Sequence, residues 1–318
     1  MRAPLTFVLL LACAAGAKKK AALGKKRRPA DRRPPTGRPL PVAEAWAAAP
    51  RLCEGGTRAS SRPMLIFVHV FKCAGTTTRR TLQGWAKARD GCAYASAGKC
   101  GRKRGSASVC TVDGRPWQPI HPSLDIVAGH VLYNTFATPR PAIYVTCLRE
   151  PLNLKISAVL YVRYGKNRRS VSAVAAEISA SFRKADRPYD NFLKRLGAKY
   201  GDPVHERIPK ALAAAHAARA IAALESTFAV VGLTERYALF YAQLAALLPG
   251  GSPEFWAREV ARRENPSAYS TSVVRNAIEP AALAAINATL VYERRVYDAA
   301  VAIHDRRCAK YLGEDACR

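Results

Sequence analysis

A short apolar segment that runs into a turn of small and hydroxyl residues is the strongest constraint on the fold of this chain. Met64–Val70 is nearly all apolar and rich in Val, Ile and Phe, which is typical of a central strand covered on both faces. Ala74 and Gly75 follow, and Thr76–Thr78 stands at the predicted start of a helix. The first N–H groups of a helix have no internal partners and carry partial positive charge. The turn therefore predicts a cradle for an anionic group such as a phosphate.

Three later segments repeat this apolar character, with helical segments between them. They are Leu124–Val131, Ile143–Leu148 and Thr227–Leu233. Short buried strands that alternate with helices are typical of parallel sheets. The sequence therefore predicts one α/β domain with a mostly parallel central sheet and helices on both faces, a P-loop NTPase-like three-layer fold.

Lys72 lies inside the turn after the first strand, where its ammonium could contact an anionic oxygen. The alternative is an ordinary strand–turn–helix whose lysine is solvated. The turn is not a Walker A loop, because the Gly-Lys-Ser/Thr ending is missing. It predicts an anion cradle of another kind.

A histidine follows the next apolar strand. This strand ends at Gly129, and His130 comes directly after it. Ligands of open α/β sheets lie beyond the carboxyl ends of the strands, and imidazole titrates near neutral pH. His130 is therefore a candidate general base for a hydroxyl group, although a lone histidine is more often structural. His69 lies in the first strand, and we expect it to be structural.

An arginine follows the third apolar strand. Arg149 precedes Pro151, which suits the first turn of a helix. Ser157 lies about two helical turns after Arg149, so it can return to the same side. A guanidinium and a hydroxyl together predict a phosphate clamp. A salt-bridged arginine in a strand-to-helix turn is the alternative for this motif taken alone.

These segments together resemble the PAPS-dependent carbohydrate sulfotransferases of the Golgi, closest to the uronosyl 2-O-sulfotransferase branch. The segment His69–Thr77 resembles their 5′-phosphosulfate loop, with Phe71 where proline is usual and Cys73 where threonine is usual. Ala128–Val131 resembles the segment that carries their catalytic base, and Arg149–Ser157 resembles their 3′-phosphate site. Two such motifs in the correct order make an unrelated strand-to-helix turn a poor explanation.

The resemblance implies transfer of a sulfuryl group from PAPS to a hydroxyl of an acidic or neutral glycan. It implies that His130 removes the hydroxyl proton and that Lys72 stabilises charge on the leaving phosphate oxygen. We expect no metal, since the lysine and the loop dipoles supply the positive charge. The implied cofactor-binding residues are Lys72, Cys73, Ala74, Gly75, Thr76, Thr77, Arg149 and Ser157.

Two other functions stay open. One is a P-loop kinase or NTPase, which would need a magnesium-binding carboxylate and a Gly-Lys-Ser/Thr loop. The other is a non-enzymatic, basic polyanion-binding protein with a degenerate loop. The net charge of +28 extends beyond the N-terminal tail and fits a polyanionic partner, although a compositional bias towards Ala and Arg accounts for it as well.

The N-terminal region predicts entry into the secretory pathway, with the Golgi lumen as the expected location. Residues 1–17 resemble a signal peptide or a short membrane anchor. Residues 18–62 are expected to form a disordered basic stem rich in Pro and Ala, and 63–318 the sulfotransferase domain that the resemblance implies. The apolar leader argues against a nucleic-acid partner for the stem. Asn287–Thr289 is a glycosylation sequon, which is useful only in that pathway.

The cysteines and two polar loops complete these predictions. Cys73 and Cys147 are predicted as buried thiols, while six others could form up to three disulfides in an oxidising lumen. We expect one bridge to join Cys308 and Cys317 and another to lie within Cys92–Cys110, and we disfavour zinc because no CxxC pair is present. We expect residues 90–122 to lie at the mouth of the site, where they either contact an acidic glycan or are simply solvated. The resemblance implies that residues 262–276 cover the nucleotide.

Overall fold

The computed structural model describes residues 38–54, 62–97, 124–133, 140–164, 169–184, 191–197, 208–262 and 269–317. The chain divides into two units, Met1–Pro34 and Pro35–Arg318, and every described residue belongs to the second. The predicted leader, much of the predicted stem and most of the loop at 90–122 lie outside the described residues. Of the helices in the described ranges, none is both long enough and apolar enough to span a membrane.

Five parallel strands form one central sheet in the described part of the chain. They are β1 (Met64–His69), β2 (Tyr94–Ala97), β3 (Ile126–Gly129), β4 (Ala142–Leu148) and β5 (Phe228–Leu233). Their order across the sheet is β2-β3-β1-β4-β5. β1 is buried along its whole length, because apolar helices cover it on both faces. The predicted α/β class with a parallel sheet is confirmed.

Eleven helices surround the sheet within the described ranges. They are α1 (Val42–Ala48), α2 (Gly75–Lys87), α3 (Pro151–Val159), α4 (Val171–Arg183), α5 (Asn191–Leu196), α6 (Lys210–Ser226), α7 (Tyr237–Leu247), α8 (Pro253–Ala261), α9 (Thr271–Ala277), α10 (Pro280–Thr289) and α11 (Val291–Leu312). A π-helical turn, Leu160–Tyr164, continues α3.

The helices divide into three packing groups. Helices α1, α2, α7 and α8 cover one face of the sheet, and α5, α6 and α11 cover the other. Helices α3, α4, α9 and α10 form a separate apolar cluster that includes the π-helical turn. Residues 38–54, which the sequence places in the stem, fold onto the first face through α1.

The strand order creates a crevice between β1 and β4. The chain leaves β1 towards β2 on one side of the sheet, and it leaves β4 towards β5 on the other side. Two connections that diverge from neighbouring strands leave an opening at their carboxyl ends, which is where ligands of open α/β sheets bind. The turn with Lys72 and the turn with Arg149 both lie at this opening.

Two disulfides lie within the described residues. Cys308 pairs with Cys317, as predicted. Cys92 pairs with Cys53, a bridge that the sequence did not predict, because the α1 segment folds against the sheet. A second bridge within Cys92–Cys110 stays a prediction. Two further cysteines, at positions 100 and 110, lie outside the described residues. The predicted thiols, at positions 73 and 147, are buried and unpaired.

Candidate functional site

The turn between β1 and α2 has backbone conformations that are typical of ligand-binding sites. Lys72 and Ala74 have φ values of 63° and 55°, the left-handed region that residues other than glycine rarely adopt. Such backbone conformations cost about 1–3 kcal/mol and occur mainly at functional sites. Ala74 is the N-cap of α2, and it has no polar side chain to bond the first N–H groups of the helix. The start of α2 therefore has the donors that an anionic group needs.

A cavity of about 910 Å³ opens at the carboxyl ends of the strands. It brings together eight of the nine site residues that the sequence predicts. They are Lys72, Ala74, Gly75, Thr76, Thr77, His130, Arg149 and Ser157.

Cys73 is the exception among the predicted residues. Its side chain is fully buried in the core and does not line the cavity. The thiol contacts the carbonyl oxygen of Phe71 at 3.7 Å, and burial raises its pKa well above the usual value. The side chain therefore cannot bind a ligand in the cavity, because the turn directs it inwards.

Lys72 reaches across the mouth of the cavity. Its Nζ lies 4.1 Å from the centroid of the Tyr161 ring, in the π-helical turn after α3. Burial lowers the pKa of the Lys72 ammonium, and the nearby Arg149 guanidinium lowers it further. The aromatic ring holds the cation beside the turn, where it can move onto an anionic ligand.

Arg149 joins the two sides of the crevice. Its Nη1 lies 3.5 Å from the carbonyl oxygen of Lys72, and its Nη2 donates to Thr271 Oγ1 at 3.0 Å. Ser157 lines the same cavity from α3, as its spacing predicts. Ser270, Thr271 and Ser272 also line it, so the described end of the polar segment 262–276 closes over the Arg149 side of the cavity.

Two carboxylates hold the Arg149 turn in place. Glu150 is the N-cap of α3, and its carboxylate accepts hydrogen bonds from the N–H groups of Leu152 and Asn153 at 3.2 and 2.8 Å. Glu235 accepts from the Glu150 N–H and from the Tyr297 hydroxyl, both at 3.0 Å. Glu235 lines the cavity and was not predicted from the sequence, because a single glutamate after a strand has no distinctive spacing.

His130 has a defined tautomer. Its Nδ1 lies 3.2 Å from the carbonyl oxygen of His69. A carbonyl only accepts hydrogen bonds, so Nδ1 carries the proton and the basic lone pair of the neutral ring is on Nε2. The ring also stacks on His69, with centroids 4.1 Å apart. This arrangement gives the cavity a basic nitrogen in a fixed orientation.

A chain of hydroxyl groups leads from the cavity into the core beneath α2. The Tyr237 hydroxyl donates to Tyr241, Tyr241 contacts Thr81, and Thr81 donates to the buried Glu259 carboxylate, each at 2.9 Å. Burial and the Tyr241 hydroxyl raise the pKa of Tyr237, so it stays a neutral donor. Tyr237 lines the cavity and is another residue that the motifs do not reveal.

Comparison with protein-family models finds no match, and a search of curated proteins finds none either. The chemistry of the cavity follows from its residues. On one side of the cavity lie the N–H groups at the start of α2 and the Lys72 ammonium. On the other side lie the Arg149 guanidinium and several hydroxyl groups. His130, directly after β3, supplies a base. The site suits a ligand with two anionic groups and a reaction that removes one proton.

Proposed function

We propose that this protein is a PAPS-dependent sulfotransferase that modifies a hydroxyl of a glycan. One observation carries the proposal. The turns after β1 and β4, which are 77 residues apart in the chain, place Lys72 and Arg149 in one cavity with 3.5 Å between the Arg149 Nη1 and the Lys72 carbonyl oxygen. A donor with a sulfated 5′ end and a 3′-phosphate needs such a pair of anion sites.

The β1–α2 turn would hold the 5′-phosphosulfate. The N–H groups of the first turn of α2, at Gly75–Thr77, and the Lys72 ammonium supply donors for its oxygens. Gly75 fits this role because a Cβ there would lie 1.6 Å from the His69 ring, so the backbone and ring are packed too closely for any side chain. Only the backbone of Cys73 would contribute.

Arg149 and Ser157 would hold the 3′-phosphate. A guanidinium makes charge-assisted hydrogen bonds to phosphate oxygens, and Thr271 already orients it through a 3.0 Å hydrogen bond. Arg149 lines the cavity from the β4–α3 turn, and Ser157 lines it from α3. This second anion site would favour PAPS over ATP, because ATP has no 3′-phosphate.

The transfer step follows from these positions. PAPS supplies the sulfuryl group. The acceptor hydroxyl oxygen forms a new bond to sulfur while the bond from sulfur to the bridging oxygen of the 5′-phosphate breaks. Nε2 of His130 takes the hydroxyl proton, and Lys72 stabilises the negative charge that develops on the leaving phosphate oxygen. No step in this scheme requires a metal.

We propose an acidic or neutral glycan acceptor, a location in the secretory pathway and no nucleic-acid partner. The two disulfides support an oxidising compartment. The positive net charge of +28 supports an anionic polymer as a partner.

Binding of adenosine 3′,5′-bisphosphate tests the proposal. This product of the proposed transfer keeps the 5′- and 3′-phosphates of the donor, and a ligand that binds only the folded chain raises the melting temperature. Arg149→Ala should weaken binding about 10- to 100-fold, because it removes charge-assisted hydrogen bonds. Arg236→Ala is a matched control, since Arg236 also lines the cavity but lies outside both anion sites and pairs with Asp305.

The results of these binding measurements distinguish the sulfotransferase proposal from the two other candidate functions. No change in melting temperature with the bisphosphate contradicts the sulfotransferase proposal. Turnover of ATP with magnesium would favour a kinase or NTPase. Retention on heparin without bisphosphate binding would favour a polyanion-binding protein.

A further inference from the structure

His69 lines the cavity but has no part in the transfer scheme. It is the last residue of β1, and only 5% of its surface is exposed. Its Nδ1 is buried and makes no hydrogen bond with any residue in the described ranges. A buried polar side chain without such a partner at the edge of a ligand cavity requires an explanation.

The position of the His69 ring is closely defined. The ring stacks on His130 at a centroid distance of 4.1 Å, and it is nearly parallel to the Phe67 ring, whose centroid lies 6.0 Å away. A Cβ added to Gly75 would lie 1.6 Å from Cδ2 and 1.9 Å from Nε2 of His69. The edge of the ring that carries Nε2 therefore faces the first residue of α2, and only glycine at position 75 permits this contact.

The tautomer of His69 follows from the burial of Nδ1. A neutral imidazole has one N–H, on either nitrogen. A buried N–H without an acceptor is rarer in proteins than an under-satisfied acceptor, and leaving such a donor unpaired costs about 1–3 kcal/mol. The proton therefore belongs on Nε2, next to the start of α2.

The charges around His69 keep its ring neutral. Burial lowers the pKa of His69 well below its usual value. Four nearby side chains lower the pKa of His69 further. They are His130 after β3, Arg195 in α5, Arg79 in α2 and Lys72 in the β1–α2 turn. At neutral pH the ring is a donor at Nε2 without a charge of its own.

We propose that His69 donates a hydrogen bond from Nε2 to a phosphate or sulfate-ester oxygen held at the start of α2. This inference rests on the proposed function, because the same turn would hold the 5′ end of the donor. The helix N–H groups and His69 then approach one anionic group from two directions, with Gly75 between them.

Three variants separate the two ring nitrogens and the stacking contact. His69→Gln places an amide N–H near the position of Nε2, His69→Asn places it near Nδ1, and His69→Phe keeps an aromatic ring without a donor. The measurement is calorimetric binding of adenosine 3′,5′-bisphosphate at neutral pH. We expect His69→Phe and His69→Asn to bind about tenfold more weakly than the unmodified protein, and His69→Gln to bind within about threefold of it.

Nitrogen NMR of the unmodified protein gives a readout that needs no variant. We expect a protonated Nε2 and an unprotonated Nδ1 at neutral pH, and a change in the Nε2–H signal when the bisphosphate is added. A proton on Nδ1 would overturn the proposal, and so would unchanged affinity in a folded His69→Phe protein. If the variants do not fold, the NMR result decides.

The two proposals fail in different ways. An unmodified protein that does not bind the bisphosphate overturns the proposed function and this inference with it. Normal binding by the unmodified protein, together with normal binding by His69→Phe, overturns only the inference about His69.

Discussion

Lys72 combines an unusual backbone with an unusual environment. Its φ of 63° turns the side chain back over the crevice, and the Tyr161 ring and the Arg149 guanidinium flank it. A lysine in the middle of a strand or helix would not reach this place. The strained conformation is consistent with a residue positioned for chemistry rather than for stability.

In the proposed reaction, Lys72→Ala removes the positive charge assigned to the leaving phosphate oxygen. We expect kcat for sulfuryl transfer to fall about 100- to 1,000-fold, the usual loss when one such donor is removed. Steady-state kinetics with PAPS and a glycan acceptor measure the effect. Lys87→Ala is the matched control, since Lys87 lies in the last turn of α2, away from the cavity, and should leave kcat unchanged.

In the proposed reaction, His130→Ala removes the base that takes the acceptor proton. We expect a loss of about 100- to 10,000-fold in kcat, with little change in bisphosphate binding, because the proposed role of His130 concerns the acceptor and not the donor. His304→Asn is the control, since His304 is buried on α11 and does not line the cavity. Full activity in the His130→Ala protein would reject the assignment of the base.

At the scale of elements, the site depends on how α3 begins. Glu150 closes the first turn of α3 with two backbone hydrogen bonds, and it pairs with Arg275 and Arg294 at 3.7 and 3.4 Å. Its own N–H is held by Glu235 from the end of β5. The start of one helix is thereby fixed by residues from three other elements, and Arg149 is fixed with it.

Glu150→Ala should therefore weaken both stability and binding. Loss of the N-cap costs about 0.5–2 kcal/mol of unfolding free energy, measured by urea denaturation. We also expect weaker binding of adenosine 3′,5′-bisphosphate, because Arg149 loses its support. Glu150→Gln keeps an acceptor oxygen and should lose less stability and less binding affinity than Glu150→Ala. Equal stability of the Ala variant and the unmodified protein would contradict the capping role.

The sequence predicts those site residues that follow apolar strands directly. Lys72, His130 and Arg149 each stand just after a buried strand, and a parallel sheet brings such positions to one edge. The sequence does not predict which way a side chain points within a turn. Cys73 turns into the core for this reason, while its neighbours face the cavity.

Residues that reach the cavity from distant elements are harder to predict. Glu235, Tyr237 and Thr271 belong to short motifs that are common in proteins, and only the packing of α7 and α9 brings them to the cavity. The Cys53–Cys92 bridge was missed for a similar reason, because the α1 segment has a composition that resembles a linker. Local pattern defines elements, whereas contacts between distant elements depend on the whole fold.

At the scale of the whole molecule, buried histidines link stability to pH. Burial lowers the pKa of His69 and of His304 in the folded protein. Below the unfolded value of about 6.5, the unfolded chain takes up protons that these folded histidines do not. Their contribution to stability is therefore fully present above pH 6.5 and is lost as the pH falls through 6.5 towards the folded pKa values.

We expect the unfolding free energy to decrease by up to about 1.4 kcal/mol per pH unit for each such histidine below pH 6.5. Urea denaturation between pH 7 and pH 5.5 measures this slope. His304→Asn keeps a donor for the Val231 carbonyl, which accepts from His304 Nδ1 at 2.9 Å, but cannot titrate, so its slope should be smaller. An identical slope in both proteins would contradict the role of His304.

The residues just before α1 contact the sheet at the amino ends of its strands, opposite the cavity. The Leu40 N–H donates to the carbonyl oxygen of Ala142, the first residue of β4, whereas the cavity lies at the strands' carboxyl ends. In a parallel sheet the amino ends and the carboxyl ends of the strands face in opposite directions. Immobilising the domain through Arg38 would therefore leave the cavity mouth directed outward, open to a polymer too long to enter a closed pocket.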